Sequence, residues 1–551
     1  MNATPYSPRD CRSRVNATPG RDLPIAERLV PTVGIWMEMT DAALADSHGE
    51  GLVRWARAFI RGVDRLAEVK RIVIPCSHSA QPIVERLFSE ACIDDDSFAL
   101  ISKKLVIAPL TSGDSLWSRL RVWADRKRKR AKERLESLQV TANPLSWPGS
   151  LLTLAKESPS SLGLILLSVS RLTKILTATF SLGLTGAVRP LIRRLRSPSE
   201  SLAEAANRAY PEISWVIPNP GWAASSQLAG RKIVNIADIV YREFPLPGVS
   251  AAELEQHAES LVRNAEAADK IVCFSEHVAQ RHIRTTLPAE ASKTVVIPHA
   301  PFPSVRPALT PAESRRKLGD ALRHHFSTLL PNRHYCDFPF EDVDYLFVSS
   351  KCRPYKNYAA ILEAYEHVLR RSRRNVKLIV TAHLSGNAEL ASLLHHRGLV
   401  FDVAEATNVP DEVHTLLIQN ARMLIIPTLF EGGMPFGFCE AVGLGTPCVL
   451  SRIPVVEETL TRDELTSPEY FDATDTVAMT QAILHVLDNR QSVLERQEAI
   501  RQRLMARTWQ DVAAEYLAPI EWHQPRTPEF GPSAMASRTE TRTARTTTVL
   551  S

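Results

Sequence analysis

Two stretches of this 551-residue chain place charged side chains next to glycine-containing turns, a pattern suited to holding an anion and a diol. The first runs from Met423 to Glu458. An apolar run, Met423–Ile426, reads as a buried strand that Pro427 ends. Glu431 follows, then the loop Gly432-Gly433-Met434-Pro435-Phe436-Gly437. A helix is expected from about Phe438, carrying Glu440, and Gly445-Thr446-Pro447 breaks it. A helix start beyond a parallel strand offers free backbone N–H groups to a phosphate. A carboxylate one or two turns in, such as Glu440, can accept hydrogen bonds from two hydroxyls. An ordinary strand–loop–helix with a solvated acid would look similar.

The second stretch is Ser349–Tyr358, SSKCRPYKNY, after the strand-like Tyr345–Val348. Lys351, Arg353 and Lys356 all precede an expected helix, Tyr358–Leu369. Cations beside the positive end of a helix are unfavourable unless an anion sits between them. The plain alternative is a basic turn.

These residues carry a resemblance. Glu431, Gly432, Pro435, Glu440, Ala441, Gly445, Thr446 and Pro447 match the "EG…P…EA…GTP" frame of the GT-B glycosyltransferases of family 4. That family separates its two glutamates by seven residues, and here eight intervene. Ser349–Tyr358 resembles the family's second signature, G-R-x-x-x-x-K-N, with Lys351 at the Arg position and Lys356 at the Lys. Arg353 could stand in for Lys351, since guanidinium binds phosphate well. The resemblance implies an α/β chain of the GT-B class, two Rossmann-like domains facing a central cleft. It implies transfer of a hexosyl group, with retention, from a UDP-, GDP- or ADP-sugar to a glycan or lipid-linked acceptor, as in cell-surface polysaccharide synthesis. Neither a bound metal nor a resident cofactor is implied. Lys356 and Lys351 would stabilise the diphosphate, and Glu440 would hold the ribose. Glu431 and the backbone of Gly432, Gly433, Met434, Pro435 and Phe436 would meet the donor sugar.

Three further points come from the same resemblance. Val409, in Asn408–Val413, would pack on the nucleobase, although a helix capped near Asn408 explains that segment equally. Where many members read His-Asp after a strand, this chain has Ala237 and Asp238. The imidazole is missing, and Asp238 either orients acceptor groups or caps the strand end. Gly49 and Gly51, before an amphipathic helix at Leu52–Leu66, would approach the transferred sugar or simply form a turn. His299 stands where the family usually has Asn-Gly; it could face the cleft, and a linker histidine is the plainer expectation.

Composition sets outer limits. The chain has 66 Lys and Arg against 61 Asp and Glu, a formal net charge of +5, too balanced to indicate nucleic acid. None of the eight cysteines forms a CxxC pair, so neither zinc nor a disulfide framework is indicated. A reducing, cytoplasmic compartment fits. Residues 1–30 read as a disordered leader without a signal-peptide core. Residues 31–300 read as an acceptor domain with strand candidates at Thr32–Met37, Arg71–Pro75, Lys104–Ala108, Trp215–Pro218, Lys232–Ile236, Lys270–Phe274 and Thr294–Ile297. An insert at about 120–210 holds the basic run Arg126–Arg130 and the segment 162–195, apolar with scattered bases. That segment suits an interfacial helix on an anionic membrane, a helix packed on its own domain, or a surface for a protein partner. Residues 301–520 read as the nucleotide-sugar domain, with strands at Val376–Thr381, Val400–Val403 and Tyr470–Asp472 and a last helix near Asp511–Leu517. Residues 523–551 read as a disordered tail. Asp94-Asp95-Asp96 reads as a surface turn, not a metal site. A phosphorylase would need a lysine motif for pyridoxal phosphate, which is not seen. A non-catalytic sugar-nucleotide-binding or membrane-associated scaffold on the same fold is the other alternative.

Overall fold

The computed structural model describes residues 31–37, 51–76, 80, 81, 84, 105–109, 201–246, 249–304, 306–327 and 334–518. Gly49, Asp94–Asp96, the Arg126–Arg130 run, the 162–195 segment and both expected disordered termini lie outside those residues.

Short runs rich in Val and Ile form the strands, as expected for strands buried on both faces. The first sheet contains β1 (Thr32–Ile35), β2 (Arg71–Cys76), β3 (Leu105–Pro109), β4 (Ser214–Ile217), β5 (Lys232–Asn235), β6 (Lys270–Cys273) and β7 (Thr294–Val296). Their spatial order is 3-2-1-4-5-6-7. The second contains β8 (Tyr345–Val348), β9 (Lys377–Val380), β10 (Val403–Glu405), β11 (Met423–Ile426), β12 (Cys448–Arg452) and β13 (Tyr470–Asp472). Their order is 10-9-8-11-12-13. Neighbouring strands are parallel in both sheets. The order reverses between β1 and β4 and again between β8 and β11. Crevices that bind ligands open at such points, beyond the strand ends.

Helices cover both faces of each sheet. Against the first sheet lie α1 (Gly51–Asp64), α2 (Leu202–Ala209) and α3 (Ala251–Ala267). Ser201 with Glu204 and Ser250 with Glu253 form capping boxes that start α2 and α3. One core holds Val33, Ile35, Phe59 and Ile72; the opposite face buries Trp36, Trp215, Ile217 and Val234. Around the second sheet run α4 (Pro311–Ser327), α5 (Tyr358–Glu366), α6 (Ala388–His396), α7 (Asp411–Asn420), α8 (Phe436–Gly443), α9 (Pro454–Thr459), α10 (Thr476–Asp488) and α11 (Arg490–Met505). The molecule thus comprises two α/β Rossmann-like domains facing a cleft.

The last helix, α12 (Trp509–Leu517), returns to the first sheet. A capping box from Thr508 and Asp511 restarts the helix after α11. Trp55 stacks on Phe59 at 4.8 Å and meets Trp509 edge-on at 6.4 Å, and Phe59 lies 5.0 Å from Tyr516. Such pairs add to the area they bury. Gly62 permits this approach, because a Cβ there would stand 2.0 Å from the Trp509 carbonyl oxygen.

Two local expectations change. The helix carrying Glu440 starts at Phe436, not Phe438, after Pro435 at its N-cap. The helix after Asn408 starts at Asp411, behind Pro410; Asn408 is left-handed (φ 53°) and does not cap it.

Candidate active site

The loop leaving β8 is shaped by a single 3-10 turn, Pro354–Lys356, closed by left-handed Asn357 (φ 59°). The Asn357 side chain donates to the Ala473 carbonyl at 2.8 Å, anchoring the turn to the second domain. The Tyr355 carbonyl accepts the Leu429 N–H at 2.7 Å and the Thr428 hydroxyl at 3.1 Å. These bonds tie the lysine loop to the loop that leaves β11. Lys356 and Glu431 consequently meet as an ion pair, each about a fifth exposed. The ammonium also lies 5.2 Å from the centre of the Tyr355 ring.

Asp238 comes to this pair from the first domain. Its Oδ1 accepts the Val240 N–H at 3.1 Å. Burial pushes its carboxyl up; the Val240 bond and Lys356 act against that, while Glu431 adds to it. The close approach is made by glycine. A Cβ on Gly432 would stand 2.3 Å from the Ala237 carbonyl oxygen and 3.6 Å from Asp238 Oδ2. At the position without an imidazole, backbone therefore faces the loop.

An imidazole reaches the loop from elsewhere. His299, expected in a linker, packs 4.0 Å from the Phe436 ring and 5.3 Å from Phe274. Its Nε2 would lie 2.8 Å from a Cβ on Gly433. Burial lowers it to about 4, although the Ala300 and Met434 carbonyls oppose this, so the ring is neutral at pH 7. Sequence reasoning favoured the linker over the cleft for His299, because its place after β7 marks a chain leaving the first sheet. A cavity of about 470 Å³ borders His299, Gly433, Met434, Pro435 and Phe436, and is walled by Val455, Leu504 and Arg507.

Glu440 is buried in the second turn of α8. Its carboxylate pairs with Arg54, which reaches across the cleft from the first turn of α1. The Arg54 guanidinium lies over the Phe302 ring, 4.4 Å from its centre. Close by, Ser349 at the end of β8 hydrogen-bonds His414 Nε2 at 2.6 Å. Burial lowers His414 to about 4, with Arg54 lowering and Asp411 raising it, so this ring is also neutral.

The remaining expected residues scatter. Lys351 and Arg353 are exposed on the lysine loop. Val409 is half-buried and packs on the second domain's core. Gly51 is the exposed first residue of α1, with open space where a Cβ would point.

The domains also touch directly. Ser275 donates to the Gly432 carbonyl at 3.0 Å. The Glu458 carboxylate accepts the N–H groups of Glu276 and His277 at 2.8 and 2.7 Å, where the 276–286 helix starts.

Among the described residues one group could bring cation ligands together, namely Glu243, His277 and His282, with atoms within 4.8 Å. His282 Nδ1 accepts the Ile239 N–H at 2.7 Å, which leaves the neutral ring's proton on Nε2. That atom faces Glu243 Oε1 at 3.6 Å, and Arg281 donates to the same oxygen at 3.3 Å. At that distance the two make an electrostatic contact, and a ligating Nε2 would have to lose its proton.

Two parallel sheets with facing switch points, and a lysine–acid–glycine site between them, define a GT-B fold. Residues 342–489 match the family described as Glycosyl transferases group 1. The chain is 27 % identical over 179 residues to an MMP alpha-(1->4)-mannosyltransferase of Mycolicibacterium hassiacum, covering 32 % of this chain and 42 % of that one. The match thus spans under half of that relative's length. Among solved structures it is similar to HepE of Anabaena with UDP and glucose (TM-score 0.49, 11 % identity, 89 % of this chain and 100 % of that one). It is also similar to sucrose-phosphate synthase of Thermosynechococcus elongatus (TM-score 0.48, 12 % identity, 88 % and 97 %).

Proposed function

We propose that this chain is a retaining glycosyltransferase that moves a hexosyl group from a nucleotide diphosphate-sugar to a glycan or lipid-linked acceptor. The observation that carries this is the meeting of Lys356, Glu431 and Asp238 from three loops, with buried Glu440 on the adjoining helix. The family match over residues 342–489 supports the donor half of the reading, because it contains Lys356, Glu431 and Glu440.

In this reading the diphosphate lies against Lys356, with Lys351 and Arg353 at the rim. Negative charge grows on its leaving oxygen as the bond to the sugar C1 breaks, and the ammonium stabilises it. The acceptor hydroxyl oxygen bonds to C1 on the same face and passes its proton to that phosphate oxygen. Glu431 and the Gly432–Phe436 backbone hold the sugar, and Glu440 takes the ribose hydroxyls. Asp238 orients the acceptor side. The relative's mannosyl transfer makes a hexosyl donor the first to try. We place the chain in the cytoplasm, in cell-surface polysaccharide synthesis, with 162–195 against an anionic membrane.

Lys356→Ala tests the assignment. Turnover of donor, by transfer or hydrolysis, should fall about a hundredfold to a thousandfold while the thermal midpoint barely moves. Near-wild-type turnover would sink the role given to Lys356. Nucleotide binding without any transfer or hydrolysis in the wild-type chain would favour the non-catalytic scaffold.

A further inference from the structure

We propose that Arg54 is a partner-exchanging residue of the donor site. Its guanidinium pairs with the Glu440 carboxylate, and an arriving nucleoside diphosphate takes Glu440 with its ribose and Arg54 with its phosphates. This rests on the donor-site reading above.

Three observations carry it. The first is competition for one buried group. Glu440 is 8 % exposed, so its two oxygens offer little surface beyond the side that Arg54 holds. Two ribose hydroxyls need that side, and the guanidinium must give way. The second is that Arg54 makes Glu440 tolerable without donor. A buried carboxylate left unpaired is strongly destabilising, and an arginine from the opposite domain removes that cost until the hydroxyls replace it.

The third is what Arg54 does on release. Burial lowers its guanidinium to about 10, with Asp411 raising and Arg57 lowering it, so it remains a cation at neutral pH. Once released, Arg54 keeps Asp411 as its carboxylate neighbour, and the entering diphosphate adds a second anion with oxygens spaced for a guanidinium. Guanidinium binds phosphate oxygens in pairs, and the Phe302 ring under Arg54 gives its plane a surface on which to turn. His414, beside Arg54, is neutral and does not compete for the phosphates.

Calorimetry with UDP, GDP and ADP, each beside its parent nucleoside, tests this on wild type, Arg54→Met and Arg54→Lys. For the base that binds, Arg54→Met should bind the nucleoside about tenfold more tightly and the diphosphate about tenfold more weakly. Arg54→Lys should keep the diphosphate nearer to wild type and gain less for the nucleoside. If the wild type binds a diphosphate and both variants shift nucleoside and diphosphate by one common factor, or not at all, Arg54 is structural and the proposal falls alone. No binding of any diphosphate by folded wild type overturns the donor-site reading and this exchange with it. Should Arg54→Met fail to fold, Arg54→Lys decides by the same two affinities.

Discussion

Lys356 and Glu431 stand 75 positions apart in the chain and share one hydrogen bond. Their types and neighbours were legible in the sequence. Their meeting depends on the Tyr355 carbonyl, which gathers Thr428 and Leu429, and no side-chain pattern announces a backbone acceptor. Five residues, Glu431–Pro435, lead into α8, which begins at Phe436. Arg54 was not legible and His299 only as the less favoured reading, because each acts only where the two domains face each other. The buried histidines give a prediction at this scale. His299 and His414 are held near 4, below the usual 6.5, so unfolding lets them take up protons as pH falls. Their share of stability is complete above about pH 6.5 and is lost as pH drops toward 4. By pH 5 each should cost of order 1 to 2 kcal/mol. Denaturant titrations at pH 7 and 5 should show that loss, and His414→Gln should reduce it. A variant with the same pH dependence as wild type would rule out His414 as a source.

Most strands could be placed within one or two residues, because a parallel strand covered on both faces is a short apolar run ended by a polar or proline residue. The exception is β10. An apolar run at Val400–Val403 suggested a strand, but pairing starts at Val403 and ends at Glu405. Glu405 is buried because Ser385 gives it both its N–H (3.0 Å) and its hydroxyl (2.9 Å). A satisfied carboxylate of that kind looks like a loop residue in sequence. The start of α3 carries a sequence signature, Ser250 with an acid three residues on, whereas the start behind Pro410 carries none. Between elements, Glu458 beyond β12 holds the first two N–H groups of the 276–286 helix across the cleft. Glu458→Ala leaves those donors to water and removes a negative charge from a helix start, at a cost of about 1 kcal/mol. Amide exchange across 276–286 should then quicken relative to α3. Unchanged exchange would mean that the contact does not hold the domains together.

At the scale of the molecule, the apolar runs marked the strands and the resemblance supplied the two-domain plan, while the return of α12 to the first sheet has its reason in packing. Its aromatic face, Trp509 and Tyr516, fits the first core rather than the one it follows in sequence. No helix among the described residues is long and apolar enough to cross a membrane. Membrane contact therefore rests on 162–195, outside the described residues. The full chain should float with anionic liposomes at low salt and less so at high salt. Sedimentation of the protein away from such vesicles at low salt would remove the membrane from the account.

The central claim is that the cleft between the sheets holds a nucleotide diphosphate-sugar through Lys356 and Glu440. Calorimetry of wild type and Glu440→Ala against UDP, GDP and ADP addresses it most directly. The account predicts micromolar binding of one of them, weakened about tenfold or more in the variant. Silence from all three with folded protein, or equal affinity in wild type and variant, would contradict it.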